Sequence, residues 1–282
     1  MSNLSRKIDF AVIIGVQNSN PNGDPLNGNR PRIDYDGYGE ISDVCIKRKI
    51  RDRLLENGYP IFVQSDDRKI DSAKCLKERA DKVIENWLNS HETIEMACKT
   101  WFDVRAFGQL FAFTANGGKK KKSDDESESG VSIPIRGPVS VQSAFSVEPI
   151  SISSIQITKS VSGEEGKNGK KSSDTMGMKH RVDKGVYVFF GSMNPQLAER
   201  TGFSTEDACA IKNVLPILFE NDASSARPEG SMTVKKVFWW EHNSKAGQYS
   251  SAKVHATLTV TPDGEYELSD LEGLVPEIID GF

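Results

Sequence analysis

Cations beside an amide-rich loop are the residues of this chain best suited to chemistry. The loop covers residues 18–34 and contains Asn20, Asn22 and Arg30 among repeated glycines and prolines. Three further cations follow within one basic segment: Lys47, Arg48 and Arg51. Lysine and arginine neutralise phosphates, and loop N–H groups donate hydrogen bonds to phosphate oxygens. The pattern predicts a phosphate-binding cradle, although a solvated helix face would explain the same three cations.

Carboxylates in the loop offer a second chemistry. Asp24, with Asp34 or Asp36 nearby, could bind a divalent metal or activate a nucleophile. A turn-forming role is simpler for Asp24, because Gly23 and Pro25 flank it. The four histidines are far apart in sequence, and neither an HExxH nor a GxSxG motif occurs. We therefore expect a non-catalytic protein without a metal or another cofactor.

The elements on either side of the loop can be predicted from local patterns. Alternating apolar residues over 8–17 indicate a strand with one face on a core. A helix should follow over 43–57, with Ser42 as its N-cap and the Asn57-Gly58 pair as its stop signal.

The rest of the chain alternates between strand and helix patterns. These predict a helical region, two strands, a helix and two strands, in the order 72–99, 151–160, 184–192, 205–221, 233–242 and 253–261. Without the first helical region the order is β-α-β-β-α-β, which indicates an α+β fold with a modified ferredoxin-like or RNA-recognition-motif core. Ser204 and Asp207 resemble a capping box, and Pro216 should kink that helix. Trp87 is predicted to pack in a core rather than to stack on a base.

Two low-complexity stretches interrupt these elements. Residues 116–130 contain four lysines followed by acidic residues, and this composition predicts a mobile loop. Residues 162–174 lie between the two middle strands, so that the hairpin joining them has a long extension over 158–178.

Composition limits the class of protein. The 282 residues include 36 Lys and Arg against 40 Asp and Glu, a formal net charge of −4, so any affinity for nucleic acid has to be local. The four cysteines form no CxxC pair, and we expect them to be reduced. Without a signal peptide or a long apolar run, the chain is expected to be soluble and cytoplasmic.

Five ordered segments carry a resemblance to a known family. They read NPNGDP at 20–25, SDVCIKRKIRD at 42–52, WFDVRAFG at 101–108, IRGPVSVQS at 135–143 and TMGMKHRV at 175–182. Together they resemble the backbone subunit of CRISPR type I-C Cascade complexes of the Dvulg subtype. That subunit is a repeat-associated (RAMP) protein that coats guide RNA.

The resemblance implies an architecture and a function. Residues 1–282 would form a single RAMP domain, in which the core is a palm, 59–130 a finger-like helical lobe and 158–178 a β-hairpin thumb. The protein would polymerise head to tail along the CRISPR guide RNA (crRNA) through sequence-independent sugar-phosphate contacts, presenting bases to target DNA in antiviral defence. Its partners would be further copies of itself, a cap subunit that processes the guide and a large subunit, with no membrane.

The resemblance also implies site residues. The thumb would insert apolar wedges between bases: Val161, Met176 and Met178. Further RNA-binding candidates lie in the matched segments: Arg105, Arg136, Ser140, Gln142, Ser143, Lys179 and His180. From its apolar surroundings alone, Arg105 needs a partner, which is either Asp103 or a phosphate. A plain hairpin turn is the alternative at 136–138, and a polar residue at a strand start is the alternative for His180.

Two other classes of function stay open. The first is a RAMP endoribonuclease that cuts RNA through Asp24, or with His180 as general acid or base. The second is a protein-only assembly module, in which one of Trp239 and Trp240 faces the core and the other an interface, because neighbouring strand residues point to opposite faces.

Overall fold

The computed structural model describes residues 2–113, 131–158 and 176–282. The strands are β1 Ile8–Ser19, β2 Gly23–Asp24, β3 Arg30–Pro31, β4 Tyr38–Ile41, β5 Gly108–Phe113, β6 Val131–Arg136, β7 Val139–Val141, β8 Ala144–Pro149, β9 Ile152–Thr158, β10 Met176–Met193, β11 Met232–Glu241, β12 Leu258–Val260, β13 Tyr266–Leu268 and β14 Glu277–Asp280. The helices are α1 Asp43–Glu56, α2 Leu76–Asp81, α3 Ser90–Thr100, α4 Phe102–Phe107, α5 Pro195–Thr201, α6 Thr205–Val214 and α7 Ser251–His255.

A large antiparallel sheet organises this mixed α+β fold. Its strand order is β14-β11-β1-β10-β8-β4, and β7 and β9 pair with the two ends of the long strand β10. Strand β1 is central because both of its faces are apolar: Phe10, Val12 and Ile14 point to one core, and Ala11 and Ile13 to another. The first part of β10, beside β9, and its last part, beside β7, therefore lie at opposite ends of the sheet.

Helices α1 and α6 cover one face of the sheet, and the predicted N-caps of both helices and the predicted end of α1 are confirmed. The Ser42 hydroxyl accepts the Cys45 N–H at the start of α1, and Asn57 caps its end. Ser204 and Asp207 form a complete capping box at the start of α6. Helix α6 ends at Val214 rather than 221, because Pro216 lacks an N–H group and cannot continue a helix. The predicted kink at Pro216 is therefore wrong, since this proline follows the helix instead of lying within it.

The second face of the sheet is covered as well, and this corrects two predictions. The strand predicted over 253–261 is wrong: α7 occupies its first part, with the Ser250 hydroxyl accepting the Lys253 N–H, and only β12 is extended. Trp239 and Trp240 are 4% and 1% exposed, and each packs into a different core. The prediction that one tryptophan faces an interface is therefore wrong, because α7 and the β12–β13 hairpin bury that face.

A separate hydrophobic core lies between α2, α3, α4 and the β5–β6 hairpin. The predicted helical region 72–99 contains α2 and α3, while the hairpin was not predicted. Trp87 packs against Phe111 and Phe113 in this core, and its indole N–H donates to Asp81 over 2.9 Å. The predicted packing role of Trp87 is confirmed. The mobile loop predicted over 116–130 lies outside the described residues.

Strand β10 is longer than predicted, and its neighbours differ from the predicted ones. It begins at Met176 instead of 184, and its first part pairs with β9 in a two-stranded hairpin. Within the body of the sheet its neighbour is β8, at 144–149, and not the strand predicted over 151–160. Short strands also occur where only a loop was predicted, and one of them, β4, forms an edge of the sheet. Across the described ranges, no helix is long and apolar enough to span a membrane.

Candidate nucleic-acid interface

The amide-rich loop lies against the base of the β9–β10 hairpin, and Arg30 makes the contact. Its Nη2 donates to the Ser154 hydroxyl over 2.6 Å, and its Nε donates to Nδ1 of His180 over 3.4 Å. All three side chains are at least partly exposed. Two segments that the sequence predicted separately as phosphate contacts therefore meet at one place.

The hydrogen bonds around His180 assign its proton. Its Nδ1 lies 2.9 Å from the Ser154 hydroxyl and also accepts from Arg30. A ring nitrogen that accepts carries no hydrogen, so the contact with Arg30 favours the tautomer with its hydrogen on Nε2. No partner for Nε2 occurs among the residues that the structure describes. His180 can therefore offer an N–H donor beside the charge of Arg30.

Asparagine side chains hold the loop in position. The Asn22 Oδ1 accepts from both the N–H and the hydroxyl of Ser42, over 2.9 and 2.8 Å, which fastens the loop to the start of α1. The buried Asn20 donates to the carbonyl of Asn29 over 2.7 Å. Both asparagines were predicted to bind RNA, but the structure gives their side chains protein partners, and through these bonds they position Arg30.

The loop carboxylates serve the backbone. Asp24 accepts the Leu26 N–H over 3.1 Å, the turn-forming role that Gly23 and Pro25 indicated. Asp34 accepts the N–H groups of Asp36 and Tyr38. Within residues 2–113, 131–158 and 176–282, no group of three or more His, Cys, Asp and Glu could hold a metal.

The cations of α1 have carboxylate partners. Lys47 pairs with Asp43 over 2.9 Å, and Arg48 lies between Asp52 and Asp67 at 3.6 and 3.5 Å. The third cation, Arg51, donates to the buried Asp103 over 2.9 Å, and its guanidinium lies 5.0 Å from the centre of the Phe107 ring. The side chains of Lys47 and Arg48 are partly exposed, whereas the side chain of Arg51 is largely buried beside Asp103.

Arg105 forms a two-pronged ion pair with Asp207. Its Nε and Nη2 donate to the two carboxylate oxygens over 2.9 and 2.7 Å. The prediction that Asp103 is its partner is wrong, because Asp103 accepts from Arg51 and from the N–H groups of Phe62 and Val63. The structure thus supplies the partner that Arg105 needs without a phosphate.

Of the candidates at 136–143, Ser143 lies near the loop, at the start of α1 that Asn22 also contacts, whereas Ser140 and Gln142 lie far from it. A Cβ on Gly137 would overlap the Ala106 carbonyl and the Gly108 nitrogen, so this glycine allows a close approach of the protein's own backbone. The Ser143 hydroxyl accepts the Asp43 N–H over 3.3 Å at the start of α1. Arg136 is exposed on β6.

Ser140 and Gln142 lie at the far end of β10. Ser140 is opposite Ser192, and the Gln142 N–H donates to the Phe190 carbonyl. His180 lies about ten residues earlier on the same strand, which is roughly 35 Å away at 3.3 Å per residue. As RNA contacts, Arg136, Ser140 and Gln142 stay predictions, and Ser140 and Gln142 lie too far from Arg30 to act on the same phosphate.

The β9–β10 hairpin carries exposed apolar residues on both faces. Met176 and Met178 lie opposite Thr158 and Gln156 and share one face. Ile155 and Ile157 are exposed on the other face, beside Lys179. The two isoleucines were not predicted, although their alternation with polar residues is visible in the sequence. Val161 and the rest of the predicted thumb, residues 159–175, lie outside the described residues.

Ser154 is the other residue missed by the sequence prediction. Its hydroxyl joins Arg30 to His180 and therefore sets the geometry of the site. Alternation along β9 could have placed it on the side of Gln156, but the register with β10 could not be read from a single sequence.

Comparisons with known proteins agree with one another. A family model described as "CRISPR-associated protein Cas7" matches residues 6–273. A curated relative from Haloferax volcanii, "CRISPR-associated protein Cas7", is 27% identical over 241 residues, covering 80% of this chain and 67% of the relative.

Two solved structures are also similar. A chain of "CRISPR RNA-guided surveillance complex, pre-nicking" aligns with a TM-score of 0.48 and 15% identity, covering 83% of this chain and 78% of that one. A chain of "CRISPR RNA-guided surveillance complex" aligns with a TM-score of 0.47 and 16% identity, covering 92% and 77%.

Proposed function

Because this chain belongs to the CRISPR-associated Cas7 family, we propose that it is a non-catalytic backbone subunit that binds guide RNA in a type I-C Cascade surveillance complex. The observation that carries the proposal is the group formed by Arg30, Ser154 and His180. It combines a cation with a hydroxyl and an imidazole on an exposed surface where a loop meets a hairpin.

The chemistry of this group suits a phosphate. Arg30 contacts a hydroxyl and an imidazole, so no carboxylate cancels its charge among the described residues. A guanidinium can form paired, charge-assisted hydrogen bonds to a phosphate, and the Nε2–H of His180 supplies another donor. Such contacts bind the sugar-phosphate backbone and leave base edges free, as a protein that coats guides of many sequences requires.

The long hairpin supports a thumb in the same proposal. Apolar side chains inserted between bases unstack them at a cost of a few kcal/mol per step. The exposed residues Met176, Met178, Ile155 and Ile157 offer such wedges on both faces. The thumb would kink the guide at intervals and present the intervening bases to target DNA.

The topology supports a ferredoxin-like palm. The chain order β1, α1, β8, β10, α6, β11 and the spatial order β11-β1-β10-β8 match the split β-α-β pattern once the other elements are taken as insertions. In this proposal the core containing α2, α3 and the β5–β6 hairpin is the finger. Copies would associate head to tail on the guide, with a cap subunit and a large subunit as further partners.

A charge reversal at Arg30 tests the proposal. Fluorescence anisotropy with two single-stranded RNAs of equal length and unrelated sequence should give similar affinities for the wild type. We expect Arg30→Glu to weaken both by at least about tenfold, since a charge-assisted contact becomes a repulsion.

Arg6→Glu is the matched control. Arg6 is an exposed arginine near the other end of β1, paired with Glu241 over 3.1 Å. This variant should bind RNA within about twofold of wild type, because losing an exposed ion pair far from the site costs little. Equal affinities for the two variants would contradict the assignment of Arg30.

A further inference from the structure

A cleft between α3 and α5 is not used by the proposed RNA site. Its volume is about 720 Å³. Ile94 and Cys98 form an apolar wall of the cleft. Burial raises the pKa of the Cys98 thiol to about 11, so the thiol is uncharged at neutral pH. Lys99 and Arg200 line the same cleft, and neither has an ion-pair partner within the described ranges.

A buried hydroxyl in this cleft lacks a partner. Thr201 is 5% exposed, and its Oγ1 has no hydrogen-bond partner in the described part of the chain. Nearly all buried polar groups are hydrogen-bonded in native structures. Arg105 also lines the cleft and uses its Nε and Nη2 on Asp207, leaving Nη1 available. The cleft thus offers a hydroxyl and cationic N–H groups around apolar walls, which suits an apolar side chain flanked by carboxylates.

The chain itself exposes such a group. Tyr35 lies between Asp34 and Asp36 in the turn joining β3 to β4, with a relative exposure of 109%. Hydrogen bonds within the turn fix its conformation. The Asp34 carboxylate accepts the N–H groups of Asp36 and Tyr38 over 3.0 and 2.8 Å, and Gly37 has a φ of 86°. A preformed turn loses little conformational entropy on docking.

The turn and the cleft lie near opposite ends of strand β10. The Gly37 carbonyl accepts the Ile150 N–H, and the Asp183 N–H donates to the Ser151 carbonyl, so the turn lies near residue 183 of β10. Helix α5 follows the other end of β10, at Met193. Ten residues of strand span roughly 33 Å, too far for the turn to fill the cleft of its own chain.

We propose that residues 34–36 of one copy dock into the α3–α5 cleft of the next copy. Tyr35 packs against Ile94 and Cys98, and Asp36 pairs with Arg200. Two different patches on opposite ends make a heterologous contact, which builds open head-to-tail assemblies. The inference rests on the proposed function, because it names the protein contact between neighbouring copies on one guide.

Engineered cysteines test the contact directly. A chain carrying both Tyr35→Cys and Glu95→Cys is assembled on guide-length RNA and oxidised; Glu95 is an exposed residue of the cleft. We expect a ladder of multimers on a non-reducing gel. The two single-cysteine variants are the controls, because they retain the exposed native Cys75 and Cys209. All three chains also carry Cys98→Ala, because Cys98 lines the cleft and would otherwise pair with a cysteine at position 35. A double variant that gives no bands beyond those of the single variants would overturn the proposal.

A charge exchange tests the proposed ion pair. Asp36→Arg and Arg200→Glu should each weaken assembly on long RNA by at least about tenfold, as expected for an anchor residue, and the double variant should regain most of it. The pairing is excluded if the single variants assemble like wild type or if the double variant assembles no better than they do.

Binding to an RNA long enough for one copy separates the two proposals. All of these variants should bind that RNA like wild type. A wild type that fails to bind it contradicts the proposed function. A wild type that coats long RNA, together with a double-cysteine chain that gives no ladder, contradicts only the docking contact.

Discussion

The arginines of this protein fall into two environments that their local sequence does not distinguish. Arg30, at the loop and hairpin base, contacts a hydroxyl and an imidazole on an exposed surface. Arg51 and Arg105, on α1 and α4, pair with the carboxylates of Asp103 and Asp207 in the interior. Arg30 has no carboxylate partner among the described residues and can bind an anionic ligand, whereas Arg51 and Arg105 form ion pairs that stabilise the fold.

Burial explains why the difference matters. Removing one partner of a buried ion pair leaves an unpaired charge in a poorly solvated place, which costs several kcal/mol. An exposed arginine with neutral partners can be replaced at little cost to the fold. Mutations in the two environments should therefore separate stability from RNA binding.

The largest effect is expected at Asp103. Its carboxylate is 1% exposed and accepts from Arg51, Phe62 and Val63. Asp103→Ala should lower the free energy of unfolding by about 3 kcal/mol or more, because two backbone N–H groups and a guanidinium lose their partner. Urea denaturation measures the change.

Asp67→Ala is the control for Asp103. Asp67 is an exposed carboxylate 3.5 Å from Arg48, and its removal should change stability by less than about 0.5 kcal/mol. A comparable loss in both variants would show that burial does not separate the two kinds of pair.

The next effect depends on pH and concerns the buried Asp9. Burial raises the pKa of Asp9, but the neighbouring side chains of His255, Ser251 and His242 and the charge of Lys7 lower it to about 2. Because the folded-state pKa is below the ordinary value of 3.8, ionised Asp9 contributes stability above about pH 4, and this contribution is lost as the pH falls through 2.

Asp9→Asn tests this contribution. The variant should be less stable than wild type by about 2 kcal/mol at neutral pH, and the difference should narrow by more than half by about pH 2.5. Urea titrations of both proteins at several pH values measure it. A difference that stays constant with pH would show that the carboxylate's charge does not stabilise the fold.

The smallest effect is expected at Lys47. Its pair with Asp43 is one helical turn apart and partly exposed, so Lys47→Gln should lower the free energy of unfolding by less than about 0.5 kcal/mol. RNA affinity should fall by about twofold, because a phosphate has to compete with Asp43 for this cation. Anisotropy beside Arg30→Glu measures the contrast, and an equal loss in both variants would place Lys47 among the principal phosphate contacts.

Local features of the fold were predictable from the sequence. The caps at Ser42 and Ser204 and the end of α1 depend on residues within one helical turn, and all three were predicted correctly. The region after Ser250 was not, because an alternating apolar pattern indicated a strand where a capped helical turn forms. The wrong prediction that one tryptophan faces an interface has the same cause, because α7 helps to bury Trp240.

The site depends on contacts between distant parts of the chain. Arg30 and His180 are 150 residues apart, and Arg105 and Asp207 are 102 apart. Residue types indicated that each cation needs a partner, but only the sheet register and the position of Arg105 beside the first turn of α6 determine which partner it has. The sequence could therefore nominate Arg30 and Arg105 equally, and the structure distinguishes them.

Ultraviolet crosslinks between the full chain and bound guide RNA, mapped by mass spectrometry of the linked peptides, show directly whether the RNA contacts Arg30 and His180. We expect linked residues in the loop 18–34 and in the first part of β10, at 176–184, where Arg30 and His180 meet. Crosslinks confined to α4 and α6, around Arg105 and Asp207, would contradict this expectation.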